Sequence, residues 1–241
     1  MWDASVLDQL CDPSLHSRTE AEKIAVQLMG EGPLFDLSLA NFLVGAGADL
    51  PLRAIERGLG LLELISSGGR TLRPLFSLLK HNEPRIRSRV AVLFGKRVGN
   101  IQWAERIDAE PDARVRANIV EALWESTSDA RSAIFLRALK DSDNRVVGNA
   151  LWGLYLLEPA KAATRMIALA DHPDPRFRRT AGWVMGKTRD GQFLNRLNAL
   201  FRDPDKSVKG AALRALVDIR RASARAEEPV SHGVAAGGTG E

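Results

Sequence analysis

The sequence predicts an all-α protein, a right-handed α-solenoid of stacked helix–turn–helix repeats. Three observations lead there. Five segments align on one pattern, with anchor residues Ile86, Val115, Val146, Phe177 and Val208 separated by 29, 31, 31 and 31 residues; a fixed period of that size marks a repeat architecture. Within each segment apolar or small residues recur at the anchor, +4, +7 and +8, as in Val146, Ala150, Gly153 and Leu154. That is the period of a helix with one buried face. No segment alternates apolar and polar residues as a half-buried strand does.

Taken in chain order, residues 1–69 read as degenerate repeats. Val6–Leu10 and Glu20–Met29 form one expected helix pair, and Leu34–Val44 and Leu52–Ile65 a second, joined by GAGADLP. The corresponding anchors Leu15, Leu52 and Ile86 are spaced 37 and 34 residues apart, and terminal repeats that cap a stack are often irregular. Residues 70–222 carry the regular array. Its first helices are expected at Leu72–Leu79, Ile101–Ile107, Ala133–Leu139, Ala163–Leu169 and Phe193–Phe201. Each second helix follows a turn such as DHPDP at 171–175 or RDPDK at 202–206, where Asp favours a helix start and Pro is tolerated in a first turn. Residues 223–241 lack aromatic and large apolar side chains apart from two Val, and read as a disordered tail.

The second segments run EPRIRSRVAVLFGKR from Glu83, DARVRANIVEALWES from Asp112, DNRVVGNALWGLYLL from Asp143, DPRFRRTAGWVMGKT from Asp174 and DKSVKGAALRALVDI from Asp205. These DxxVR-type turns, each followed by a helix of small residues, resemble the HEAT repeat family, in particular the short bacterial HEAT-like repeats also found in phycobilisome lyase subunits. Asp112 with Val115 and Arg116 fits the pattern, as does Asp174 with Phe177 and Arg178. Val147 stands where Arg is usual, and Lys209 replaces Arg in the fifth repeat. The resemblance implies that Asp112, Asp143, Asp174 and Asp205 pair with Arg116, Arg178 and Lys209 in a ladder between repeats. It also implies that the second helices line a concave surface.

The formal net charge is +4 over 241 residues, but it is unevenly placed. Residues 1–69 hold 4 basic and 10 acidic side chains, whereas residues 70–225 hold 30 basic and 17 acidic. The array is therefore expected to carry a positive field, which suits phosphates as readily as acidic peptides. A structural ladder would consume part of it, leaving Arg89, Arg179 and Arg214 without a structural duty.

The aromatic residues narrow the choice. On a helix, positions +2, +6 and +9 lie roughly opposite the anchor face. Position +6 holds Glu121, Trp152, Trp183 and Arg214, position +9 holds Trp124 and Tyr155, and position +2 holds Arg179. Trp152 and Trp183 share one repeat position and are expected to be neighbours on adjacent helices. Arg179 precedes Trp183 by one turn, a spacing that permits a cation–π contact. The expected partner site is an aromatic floor with basic margins: Trp124, Trp152, Tyr155, Trp183, Arg179, Arg214 and the carboxylate of Glu121. The competing reading packs the +9 rings, and less often the +6 rings, between repeats.

Several function classes are poorly supported. One cysteine, Cys11, excludes an internal disulfide and any zinc site with two thiolates, and makes a reducing cytoplasm the expected setting. His16, His81, His172 and His232 are scattered, and no HExxH or GK[ST] motif occurs. No apolar run approaches a membrane span. No catalytic residue, metal or cofactor is expected. Two enzyme families that use related helical repeats remain as alternatives, the bilin lyases and the HEAT-like alkylpurine DNA glycosylases. The latter are suggested by RRTAGWVMGK and by Glu121 beside Trp124. The expectation is a non-enzymatic scaffold binding a protein or peptide on its concave face, with nucleic acid as the second partner class.

Overall fold

The computed structural model describes residues 23, 35–45, 50–65, 72–97 and 101–227 of the chain. All regular structure among them is helical. The expected helices Val6–Leu10 and Glu20–Met29, apart from Lys23, lie outside the described residues, as does the tail from residue 228 on. The chain divides into two compact units, Met1–Ala162 and Ala163–Glu241.

In the first unit the order is α1 (Phe35–Gly45), α2 (Leu52–Ile65), a 3-10 helix (Arg73–Lys80), α3 (Pro84–Arg97), a second 3-10 helix (Gln102–Ala109), α4 (Ala113–Ala122), α5 (Arg131–Ala138) and α6 (Asn144–Leu157). Helix α7 (Pro159–Leu169) begins in this unit and ends in the next. The second unit continues with α8 (Pro175–Thr188), a short 3-10 turn (Gly191–Phe193), α9 (Leu194–Leu200) and α10 (Lys206–Glu227). Helices α3 and α4, α4 and α6, and α5 and α6 pack together in the first unit; α8 and α9 pack on α10 in the second. Helix α10 passes residue 222 and stays helical to Glu227, over the first five residues of the expected tail.

All five anchors are buried: Ile86, Val115, Val146, Phe177 and Val208. The Asp before each regular second helix starts it by accepting backbone N–H bonds. Asp112 takes those of Arg114 and Val115, Asp143 those of Arg145 and Val146, Asp174 that of Arg176, and Asp205 those of Ser207 and Val208. These donors would otherwise have no intrahelical acceptor.

Two first helices differ from expectation. Leu72–Leu79 and Ile101–Ile107 were expected as ordinary amphipathic helices, yet both form 3-10 turns, with Ala104 N–H donating to the Ile101 carbonyl and Leu75 N–H to that of Leu72. The buried residues explain it. Leu72, Leu75 and Leu78, and again Ile101, Ala104 and Ile107, are spaced by three and all are buried. Three residues per turn place each trio on one line, which an α-helix would smear across its surface.

Candidate functional site

The charged turns tie up several of the array's cations. The guanidinium following the anchor is fully engaged in three repeats. Arg87 donates from Nε and Nη2 to Glu110, at 2.8 and 2.7 Å, and from Nη1 to the carbonyls of His81 and Asn82. Arg116 does the same with Asp141, at 2.7 and 2.9 Å, and with the carbonyls of Glu110 and Pro111. Arg178 repeats it with Asp203, at 2.7 and 2.9 Å, and with the carbonyls of His172 and Pro173. The planar fork of Arg matches a carboxylate in two parallel bonds.

This ladder corrects one expectation. Its acids are Glu110, Asp141 and Asp203, not Asp112, Asp143, Asp174 and Asp205. The latter spend their side chains on their own helix starts, and Asp174 also pairs with exposed Arg176. The ladder acid lies two residues before each cap and receives the cap residue's N–H: Glu110 from Asp112, Asp141 from Asp143, Asp203 from Asp205. At the same position His172 accepts from Asp174, and His81 from Glu83. In register, Val147 and His172 stand where the other repeats hold Arg and acid. Lys209 is exposed and makes no ion pair within 4 Å among the described residues.

The pairing sets the protonation of both partners. Hydrogen bonds from Arg178 hold the Asp203 carboxyl below its ordinary value against the opposing effect of burial. Burial pushes Asp141 up, but Arg116 and the Asp143 N–H overcome it and the net shift is down. The matching guanidiniums of Arg87, Arg116 and Arg178 are pushed up by Glu110, Asp141 and Asp203.

The expected aromatic residues fall in separate units. In the first, Trp124 meets Trp152 edge-on at 6.4 Å and 79°, and Trp152 stacks on Tyr155 at 5.8 Å and 16°. All three are half-buried. Trp124 donates its indole N–H to the Asn149 carbonyl at 2.9 Å, which ties it to α6. Glu121 is exposed and accepts from Asn149 Nδ2 at 3.3 Å. Of the +2 positions, Ala117 and Gly148 are buried rather than turned outward, because the helices press together there.

In the second unit Trp183 is 43% exposed. Its cation partner is Lys187, 5.7 Å above the ring and one turn later, rather than Arg179 one turn earlier. Trp183 lines an open cleft of about 380 Å³ between α8 and α10, with Gly186, Lys187, Arg189, Ala211, Arg214, Ala215 and Asp218. Arg179, Arg189 and Arg214 are exposed, and no ion pair among the described residues engages them. Arg189 holds a left-handed backbone, φ 58° and ψ 21°, where its N–H closes α8 on the Gly186 carbonyl. A side chain there is strained. Sequence reasoning found Trp183 and Arg214 but missed Lys187, Arg189 and Asp218. Lys187 and Asp218 share position +10, one turn beyond the +6 position, so the same helical count reaches them.

Among the described residues no three His, Cys, Asp or Glu side chains gather as a metal site requires. No described helix is long and apolar enough to cross a membrane.

No curated protein matches the chain. Similar solved structures include an engineered protein, 16% identical with a TM-score of 0.34, covering 92% of this chain and 98% of that one. Another is a designed armadillo repeat protein, 15% identical with a TM-score of 0.32, covering 89% and 98%. Residues 162–228 match the sequence model for HEAT repeats. The buried anchors, the capped turns and that match agree: the segment 162–228 belongs to the HEAT repeats.

Proposed function

We propose that the chain is a non-enzymatic repeat scaffold of the cytoplasm that binds a protein or peptide through the outward positions of its second helices. The observation that carries this reading is the cleft beside Trp183. A large ring stays 43% exposed, and the guanidiniums of Arg189 and Arg214 line the same cleft, together with Asp218, in no ion pair within 4 Å among the described residues. Such an arrangement suits a segment that lays an apolar side chain on the indole and a carboxylate between the cations. Trp152, Trp124 and Tyr155, with Glu121, form a second contact area on the first unit in this proposal, and Arg179 a further cation beside Trp183.

Trp183→Ala and Arg214→Glu test it. Both side chains are exposed, so thermal stability is expected to stay close to that of the parent. Affinity capture from extract, followed by titration of the purified partner, should show binding by the parent and at least tenfold weaker binding by each variant. Identical binding by parent and variants would remove the cleft as the site.

The surplus of basic residues in 70–225 supports nucleic acid as the second reading. It requires labelled single-stranded or duplex DNA to bind at low salt with affinity falling steeply as salt rises. No binding at low salt ends that reading.

A further inference from the structure

In α3, α4 and α8 three positions form the seam with the next repeat. At +1, Arg87, Arg116 and Arg178 reach the acid that follows. At +5, Ala91 and Val120 are buried, and Gly182 sits where a Cβ would touch Ala211 and Ala212 of α10 at 3.6–3.7 Å. At +9, Gly95 lies against the Ala122 backbone, Trp124 bonds to α6, and Gly186 lies against Ala215 of α10.

In α10 the same three positions are Lys209, Leu213 and Val217. Leu213 is 49% and Val217 37% exposed, and Lys209 is exposed as well. On the helical wheel Lys206 and Arg220 flank them, and both are exposed. Among the described residues nothing covers this face. It keeps the apolar pair and the cation of a seam, with no neighbour over them among the described residues.

We infer that the Lys209–Leu213–Val217 face of α10 docks an acidic amphipathic helix of a partner protein. The partner's carboxylate takes Lys209 as Glu110 takes Arg87, and its apolar stripe covers Leu213 and Val217. Charge selects this occupant. A second copy of the same face would set Lys206, Lys209 and Arg220 against themselves, and like charges brought together in an interface oppose association. An acidic helix satisfies the cations and the apolar pair at once.

The test uses the full chain and two labelled, alanine-based helical peptides. Each carries a leucine stripe, flanked by glutamates in one and by lysines in the other. Fluorescence anisotropy is expected to show the glutamate peptide binding and the lysine peptide not. Lys209→Glu should weaken the glutamate peptide about tenfold, since attraction at that position becomes repulsion. Leu213→Asp should weaken the glutamate peptide by a similar factor. Both sites are exposed, and circular dichroism checks that the variants stay folded. Equal binding of the two peptides, or no binding by either, overturns the inference. So does a concentration-dependent dimer in sedimentation that Leu213→Asp dissolves, because the face then belongs to a second copy.

Discussion

At the scale of single residues the ladder arginines are the most constrained side chains. Arg87 spends Nε, Nη1 and Nη2 on four acceptors, and its side chain and that of Glu110 are 10% and 5% exposed. Removing one charge leaves the other buried without its counter-ion. Glu110→Gln is therefore expected to lower unfolding stability by about 1–3 kcal/mol, read as a lower urea midpoint at unchanged slope. The identity of the ladder acid was hidden in the sequence by a near neighbour. Asp112 and Glu110 lie two residues apart, and both are acids in a turn. Only the backbone shows that Asp112 faces its own helix start while Glu110 faces the preceding guanidinium. The cation over Trp183 was missed for a related reason: Arg179 and Lys187 are each one turn from the ring, and spacing alone does not distinguish the two sides.

At the scale of elements, close packing depends on absent side chains. A Cβ on Gly186 would come within 2.6 Å of Ala215 Cβ and 2.8 Å of its Cα. Helices α8 and α10 would have to separate. Gly186→Ala is expected to destabilise by about 1–3 kcal/mol, despite the better helix propensity of alanine. Gly210, on α10, supplies the contrast. A Cβ there meets only Arg214 Nη1, at 3.5 Å, so Gly210→Ala should stabilise by up to about 1 kcal/mol. Thermal melts of the two variants should move in opposite directions. Most elements were legible, since the anchors and their +4, +7 and +8 companions announce the second helices, and Leu52–Ile65 is helical over its expected span. The 3-10 segments were legible only as helix. Their three-residue spacing was present in Leu72, Leu75 and Leu78, but a short stretch of that kind also fits one face of an α-helix.

At the scale of the molecule, the ladder ties stability to acid. Asp141 and Asp203 are held below their ordinary values in the folded protein, while in the unfolded chain they titrate near about 3.9. A depressed carboxylate contributes fully above its unfolded value and loses that contribution as pH falls toward the folded one. Stability is expected to be flat from neutral pH to about 5 and then to fall. An Asp141→Asn, Asp203→Asn double variant should start lower and fall less steeply, as thermal melts across pH would show. The three ladder arginines balance three acids, Arg137, Arg176 and Arg196 pair with further acids, and the exposed arginines in no ion pair among the described residues include Arg179, Arg189 and Arg214. The sequence could not give that division, because it depends on which carboxylates each guanidinium reaches.

The turn geometry bears on how the chain meets proteases. In front of α4 and α8 the backbone is held on both sides: the cap N–H by the side chain two residues earlier, and the carbonyls by Nη1 of Arg116 or Arg178. Exposed loop tips ordinarily invite nicking because their backbone can be drawn out into an extended strand. Here that backbone is already committed to other partners, so limited proteolysis is expected to spare these surface joints, held by bonding rather than by burial.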